Sequence, residues 1–389
     1  MLTNRINTLS ESITIAITTL AQELKAQGKD ILSFSAGEPD FGTPQVIKEA
    51  AIQAINDDFT KYTAVDGVPI LREAIVNKLK RDNNLTYEIN QVISSNGAKQ
   101  SLFNLFSATI DDGDEVIIPA PYWVTYPELV KYCGGKVVEI ETDDYDSFKI
   151  TPQQLKEAIT PKTRMLILTT PSNPTGSIYS KDELIAIGKV LEGTDILVAS
   201  DEMYEKLTYD GEFTSCAAVS DDMYKRTITM NGLSKSVAMT GWRFGYMAAA
   251  DTALIKATKK LQSQSTSNIN SITQLAAIAG LDGSADADIS MMREEFIKRR
   301  DEAVKLVNEI DGLSVTKPDG AFYLFVNIKD LTNDSLTFAK ELLDKKLVAV
   351  VPGVAFGSEG YFRMSFATDI DTIRDGITRI AEFVKELKA

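Results

Sequence analysis

The sequence predicts an α/β fold, with a large domain built on a mostly parallel seven-stranded sheet and a smaller α+β domain. Apolar runs of strand length alternate with helix-length amphipathic segments through the middle of the chain, which is typical of a parallel sheet covered by helices. From about Ser290 the pattern changes to a long charged helix, two strands and a closing helix that starts near Asp369. The seven strand-like runs are Gln91 to Ser95, Glu115 to Pro119, Lys136 to Glu141, Arg164 to Thr170, Ile196 to Ser200, Arg226 to Met230 and Phe244 to Ala249.

Breaker-rich connectors follow many of these runs, as at Asn96-Gly97, Ala120-Pro121, Pro171-Ser172-Asn173-Pro174 and Asn231-Gly232. Ligands of open α/β sheets bind at the carboxyl ends of the strands, where such connectors lie. The two strands of the C-terminal part are expected at Ala321 to Ile328 and Leu347 to Val351. The sequence therefore predicts a ligand site at these connectors.

Size and composition limit the classes of function. The chain has 389 residues, of which 44% are hydrophobic, enough for two cores. A net charge of -14 argues against nucleic acid or an anionic membrane surface as the main partner. With no histidine in the chain, a Ser-His-Asp triad and a histidine-ligated metal are excluded. Two cysteines and no signal-like segment indicate the cytoplasm.

The string NGLSKSVAMTGWRFGY, residues 231–246, carries the strongest chemical signal. Asn231-Gly232 is expected to break the preceding strand, which places Lys235 in a loop at the strand's end. A loop lysine is usually a solvated charge, and Arg243 alone would be a surface ion-pair partner. Together they supply an amine for a Schiff base and a guanidinium for a phosphate, which is what pyridoxal phosphate requires.

The whole string resembles the class I aminotransferase family of fold type I pyridoxal phosphate enzymes, and within it the bacterial aspartate and aspartate/prephenate branch. The resemblance extends from about Ser12 to near the C-terminus. It implies pyridoxal 5'-phosphate as cofactor and amino acids and 2-oxo acids as substrates. It also implies that residues 1–46 join residues 290–389 in the small domain, while residues 47–289 form the large cofactor-binding domain.

Three residues are expected to hold the cofactor ring. Asp201 ends an apolar run, where a carboxylate must be paired or hydrogen-bonded; the alternative is a helix N-cap. The resemblance pairs Asp201 with the pyridine nitrogen, so that the ring can accept electrons. It also implies that Tyr204 and Asn173 donate hydrogen bonds to the phenolic oxygen. Without it, Tyr204 would be ordinary packing and Asn173 part of a turn.

A phosphate site is expected where the first predicted strand leads into a helix. The backbone N–H groups of Gly97 and Ala98 should be free there, and helix N-termini bind phosphate readily. Many such turns bind nothing. The resemblance adds Ser234 and Arg243 to this site, and Tyr62 from a neighbouring subunit. If so, the active site is shared within a homodimer.

Further residues are expected to contact the substrate. Trp123 matches the aromatic residue that stacks on the cofactor ring, although a core tryptophan is the alternative. Arg363 lies in an apolar run, where a guanidinium needs a partner, and its fork matches an α-carboxylate. Gly37 would let the backbone approach that carboxylate. The resemblance implies that Lys235, once displaced by the substrate, moves a proton from its Cα to the cofactor.

Substrate choice depends on the side chain that reads the distal group. Lys99 matches the lysine that reads a distal carboxylate in the aspartate branch, and Ser12 and Thr14 match hydroxyl residues near it. A surface lysine and a helix N-cap are the alternatives. Ser10-Glu11 stands where that branch often has a basic residue and a proline, which argues against prephenate. Aromatic or alanine aminotransferases and a lyase of the same fold stay open.

Overall fold

A computed structural model describes residues 2–389. The strands in this range are β1 (Leu32–Ser33), β2 (Val92–Ser95), β3 (Glu115–Ala120), β4 (Lys136–Glu141), β5 (Thr163–Thr169), β6 (Leu197–Asp201), β7 (Thr227–Gly232), β8 (Gly245–Ala249), β9 (Tyr323–Asn327), β10 (Val348–Ala349), β11 (Val351–Pro352) and β12 (Tyr361–Ser365). The α-helices are α1 (Ile13–Ala26), α2 (Gln45–Asn56), α3 (Pro69–Asn83), α4 (Ala98–Thr109), α5 (Thr125–Tyr132), α6 (Pro152–Ala158), α7 (Lys181–Leu191), α8 (Asp221–Arg226), α9 (Thr252–Ser265), α10 (Ser271–Leu281), α11 (Asp286–Asn308), α12 (Ser335–Lys346) and α13 (Ile370–Lys388).

The main sheet has seven strands in the order β2-β8-β7-β6-β5-β3-β4. Strand β8 is antiparallel to both of its neighbours, and the remaining contacts are parallel. Six strands therefore end at one edge of the sheet, and β8 begins there. The predicted α/β fold with a mostly parallel seven-stranded sheet is confirmed, and each predicted run overlaps its strand.

Strand β7 extends further than the sequence indicated. The Asn231-Gly232 pair was expected to end it, but β7 continues through Gly232 because both residues pair with β8, Asn231 with Tyr246 and Gly232 with Gly245. That prediction is wrong, because pairing to an antiparallel neighbour outweighs the local preference of Asn-Gly for a turn. Lys235 still lies in the turn that follows.

Apolar side chains from the helices cover both faces of this sheet. Residues of β6 and β7 are buried throughout, apart from partly exposed Leu197, as expected for strands inside a parallel sheet. Helix α4 follows β2 after a single turn at Gly97. The helix N-terminus is thereby placed at the edge where the other strands end.

Two smaller sheets lie beside the main one. Strands β11, β12 and β9 form an antiparallel sheet, and β1 pairs in parallel with β10. The N-terminal segment thus lies with C-terminal elements. The closing helix α13 is capped by Asp369, whose side chain accepts from the N–H of Thr372. The division at residues 46 and 289 stays a prediction. None of the helices in residues 2–389 is both long and apolar enough to cross a bilayer.

Candidate active site

A cavity of about 470 Å³ opens at the edge where six strands of the main sheet end. Strands β9 and β12 of the three-stranded sheet contribute Tyr323 and Arg363 to its wall. Twelve of the fifteen predicted site residues line this cavity: Thr14, Gly37, Ala98, Lys99, Trp123, Asn173, Asp201, Tyr204, Ser234, Lys235, Arg243 and Arg363. The sequence therefore located one site from separate segments of the chain.

The amine of Lys235 points into this cavity. Its Nζ donates to the carbonyl oxygen of Gly37, 198 residues earlier in the chain, and lies 5.8 Å from the ring centre of Phe322. Burial of the amine, followed by the positive charge of Arg363, lowers the pKa of Lys235 to about 8. A larger share of the amine is therefore unprotonated near neutral pH, and the unprotonated amine is the nucleophile.

A buried carboxylate forms part of the cavity wall at the end of β6. Oδ2 of Asp201 accepts a hydrogen bond of 2.7 Å from the hydroxyl of Tyr126, and Oδ1 accepts one of 3.2 Å from the N–H of Met203. Burial raises the pKa of Asp201, while the hydrogen bond from Tyr126 opposes that rise. The carboxylate is oriented by these two donors, and no cation pairs with it within residues 2–389. It is therefore suited to a cationic ligand.

The guanidinium of Arg363, in the wall of the same cavity, is held by neutral groups. Nη1 donates to Oδ1 of Asn173 at 3.0 Å, and Nη2 donates to the carbonyl oxygen of Ser35 at 2.8 Å. The guanidinium carbon lies 4.3 Å from the ring centre of Tyr323. Nε is buried without a partner in the described chain. A buried charge with an unfilled donor is suited to bind an anion such as a carboxylate.

The start of α4 and the loop before β8 bring donors that are unpaired within residues 2–389 to the cavity. The N–H of Ala98 has no acceptor among residues 2–389, and Ser234 lies in the same wall. Arg243 has a positive φ of 57° and donates from Nη1 to the carbonyl oxygen of Thr240 at 2.8 Å. This guanidinium has no carboxylate partner within the described residues. Several donors therefore face the cavity without a carboxylate of the described chain bonded to them.

Gly97 has a different role from the one predicted. Its N–H donates to the carbonyl oxygen of Ser95 at 2.8 Å, so the expectation of a free amide there is wrong. The cause is the tight turn, in which Gly97 has a φ of 82°. A side chain at this position would also collide with Nη2 of Arg243. Gly97 thus shapes the turn and leaves space for the arginine.

Of the remaining predicted residues, some line the cavity and some do not. Nζ of Lys99, an exposed side chain, is 4.9 Å from the ring centre of Trp123. Thr14 lines the cavity, and its hydroxyl is buried without a partner in the described chain. Ser12 lies outside the cavity lining and caps α1, with its Oγ accepting from the N–H of Ile15 at 3.4 Å. Tyr62 also lies outside it, with 90% of its surface exposed.

Two tyrosines of the site were missed. Tyr126 bonds to Asp201, and Tyr323 bonds to the hydroxyl of Tyr204 at 2.8 Å. Both occur in strings rich in aromatic residues, PYWVTYPEL and AFYLFV, which resemble ordinary core segments. The only signal was their position, since Tyr126 follows a predicted strand closely and Tyr323 lies within one.

Pyridoxal 5'-phosphate suits this set of groups on chemical grounds. The Ala98 amide and Arg243 offer unbalanced donors for a phosphate. Asp201 offers a buried carboxylate for a protonated ring nitrogen, and Lys235 an amine of lowered pKa for the aldehyde.

Comparison with known proteins identifies the family. The family described as aminotransferase class I and II matches residues 29–380. An aspartate/prephenate aminotransferase of Nitrosomonas europaea is 47% identical over 98% of this chain and 99% of its own length. An aspartate aminotransferase of Bacillus subtilis is also 47% identical, over 99% of each chain.

Solved structures agree with these relatives. The aspartate aminotransferase of Thermus thermophilus with maleate is 40% identical and has a TM-score of 0.95, covering 98% of this chain and 99% of that one. The aspartate aminotransferase of Rhizobium meliloti, also 40% identical, has a TM-score of 0.94 over 99% of each chain. Because matches of this extent cover the fold and all segments of the cavity, the chain belongs to the class I and II aminotransferases, a family of pyridoxal 5'-phosphate-dependent transaminases.

Proposed function

We propose that the protein is an aspartate aminotransferase, which moves the amino group between L-aspartate, or glutamate, and a 2-oxo acid by a ping-pong mechanism. The observation that carries this proposal is a pair of cations, Arg363 and Lys99, that line one cavity without carboxylate partners among residues 2–389. A substrate with two carboxylates satisfies both. Relatives named as aspartate aminotransferases support the choice.

Each end of the substrate has its own partner. Arg363 binds the α-carboxylate with its fork, completed by the free Nε. Because Asn173 accepts from Arg363 through Oδ1, its amide nitrogen stays available to donate to the cofactor. Gly37 lines the wall beside Arg363, and Lys99 and Thr14 face the distal carboxylate. Ser12 acts there only through the helix α1 that it caps.

The cofactor is held by groups from several strand ends. Pyridoxal 5'-phosphate, when bound, supplies a ring that accepts the electrons released at the substrate Cα. Asp201 keeps the ring nitrogen protonated, and Tyr204 donates to the phenolic oxygen. Ala98, Ser234 and Arg243 bind the phosphate around the turn that Gly97 forms, and Trp123 stacks on the ring.

Lys235 carries the covalent attachment and the proton transfer. Its lowered pKa of about 8 provides the free amine needed for attachment at neutral pH. With pyridoxal 5'-phosphate bound, the same amine would take the proton from the substrate Cα. Burial of the amine and its contact with the Gly37 carbonyl keep it within reach of the reacting atoms.

The assembly we propose is a homodimer with shared active sites, in the cytoplasm. Tyr62 is exposed and lies outside its own cavity, so it is available to the phosphate site of a second copy. The free thiols of Cys133 and Cys216 agree with a reducing compartment.

The first experiment is the half-reaction with L-aspartate in the absence of any oxo acid. We expect the absorption band of the bound cofactor to change to that of the amine form, with stoichiometric release of oxaloacetate.

Lys235→Ala should retain cofactor without turnover, because the phosphate and ring contacts remain. A cofactor band that ignores aspartate but responds to alanine or to an aromatic amino acid would overturn the substrate choice. Transfer of the amino group from L-glutamate to prephenate would show that Ser10-Glu11 does not prevent the use of prephenate as a substrate.

A further inference from the structure

Tyr323, the first residue of β9, contacts both halves of the proposed site. Its hydroxyl lies 2.8 Å from the hydroxyl of Tyr204, and its ring centre lies 4.3 Å from the guanidinium carbon of Arg363. Its side chain is 1% exposed, so both contacts are made away from bulk water. One side chain thus joins the partner proposed for the cofactor's phenolic oxygen to the partner proposed for the substrate α-carboxylate.

The direction of the hydrogen bond follows from the number of protons available. Burial raises the pKa of both hydroxyls, so each is neutral and carries one proton near pH 7. Tyr204 lines the cavity. When its proton is donated to a ligand oxygen, Tyr204 can only accept from its tyrosine neighbour. The bond between the two hydroxyls must then run from Tyr323 to Tyr204.

We propose that Tyr323 is a positioning residue that donates to Tyr204, strengthens the hydrogen bond of Tyr204 to the cofactor, and holds the guanidinium of Arg363 flat against its ring. This role rests on the proposed function of the site. Consecutive donors polarise one another, so the second hydroxyl makes the first a better donor. The guanidinium of Arg363 above the Tyr323 ring draws electron density from that ring, which makes the Tyr323 hydroxyl a better donor to Tyr204.

The Tyr323 and Tyr204 side chains are closely packed by their neighbours. A methyl group on Gly37 would lie 3.0 Å from the hydroxyl oxygen, closer than an ordinary van der Waals contact, so a side chain there would press on the hydroxyl. The ring of Phe322 packs against that of Tyr204 with centres 5.5 Å apart. The titratable groups near this pair are Arg363 on β12, Asp201 at the end of β6 and the buried hydroxyl of Tyr209. None of them is changed in the variants below.

The test is a pH titration of the visible absorption of the cofactor-loaded protein, recorded without substrate. Tyr323→Phe keeps the ring and removes the donor, so the anionic phenolic oxygen loses support and the titration midpoint rises by about 0.5 to 1 pH unit. KM for the amino acid should stay nearly unchanged, because the ring remains under Arg363. Tyr323→Leu removes both contacts and should also raise KM by about tenfold.

Two further variants separate the proposed role from a general loss of structure. Replacement of Tyr323 by 3-fluorotyrosine retains the shape but makes the hydroxyl more acidic, so the midpoint should fall instead of rising. Tyr361→Phe makes the same chemical change in a buried tyrosine outside the cavity, whose hydroxyl lies 2.9 Å from Nζ of Lys329. It should leave the midpoint unchanged.

A double-mutant cycle decides whether Tyr323 acts through Tyr204. In a Tyr204→Phe background, Tyr323→Phe should produce no further shift, since the hydroxyl that transmits the effect is gone. A shift that persists in that background, or a Tyr323→Phe midpoint within about 0.2 pH unit of the wild type, would overturn the proposal. These titrations need no amino acid, so a failure of the aspartate half-reaction would leave them interpretable.

Discussion

The two cations proposed to bind the substrate carboxylates, Arg363 and Lys99, are held in opposite ways. Arg363 is buried, with neutral partners on two of its nitrogens and an aromatic ring against its face. Lys99 is exposed at the start of α4 and has one aromatic neighbour, Trp123. Partial desolvation, followed by the charge of Arg243, lowers the pKa of Lys99. Under the proposed function, a fixed cation would bind the α-carboxylate common to all amino acids, and a more mobile cation would bind the side chain that varies.

The different mobility of Arg363 and Lys99 agrees with the different tasks proposed for them. A fixed guanidinium places the reacting Cα in the same position for every substrate, and such orientation contributes to rate. A cation on a flexible stem selects among side chains while tolerating different lengths. Rate and selectivity should therefore respond separately to changes at the two positions.

The largest effect is expected from Arg363→Leu. Removing one partner of a buried charge pair leaves the α-carboxylate unmatched, so kcat/KM should fall by about a hundredfold to several thousandfold. The loss should be similar for aspartate and for alanine, because both carry that group. Steady-state kinetics with the two amino acids test this, and a loss confined to aspartate would contradict the assignment.

A smaller and more selective effect is expected from Lys99→Ala. An exposed cation contributes modestly, so the ratio of kcat/KM for aspartate to that for alanine should fall by about fivefold. Activity with alanine itself should remain. Lys48→Ala, in the exposed face of α2, is a matched control that changes the net charge equally. An unchanged ratio in the Lys99 variant would remove this residue from the distal site.

The smallest effect is a shift in the pH dependence of cofactor uptake, which reports how the charge of Arg363 acts on the pKa of Lys235. The initial rate at which protein freed of cofactor takes up pyridoxal 5'-phosphate should rise with pH and level off above about 8, the pKa of Lys235. Since the charge of Arg363 disfavours the ammonium form, Arg363→Leu should move this midpoint to higher pH. Lys99→Ala should not move it. The same measurement on N-acetyl-lysine amide supplies the reference for an ordinary amine.

Local sequence signals predicted the fold, whereas family resemblance supplied most of the cavity residues. Lys235, Asp201 and Asn173 each stand in or beside a connector after an apolar run, so periodicity alone placed them at one edge of the sheet. Family resemblance then added roles for Trp123 and Lys99 that no local pattern indicates.

What the sequence did not show depends on contacts between distant segments. The Tyr204–Tyr323 bond joins residues 119 positions apart, and the Tyr126–Asp201 bond joins residues 75 apart. Neither contact produces a periodic pattern in the sequence. The amide of Gly97 was mispredicted because the tight turn engages it with Ser95. Local preference also failed at Asn231-Gly232, where a neighbouring strand decided the conformation.

The reversed direction of β8 has a consequence for chain entropy. Because β8 starts at the edge where β7 ends, the segment 233–244 leaves and returns to one place and carries both Lys235 and Arg243. By contrast, the contact of Arg363 with Ser35 closes 328 residues. If both are treated as flexible loops, the longer closure loses about 3 kcal/mol more in chain entropy. The cofactor-facing half of the cavity is therefore entropically easier to assemble, while the substrate arginine depends on the whole chain having folded.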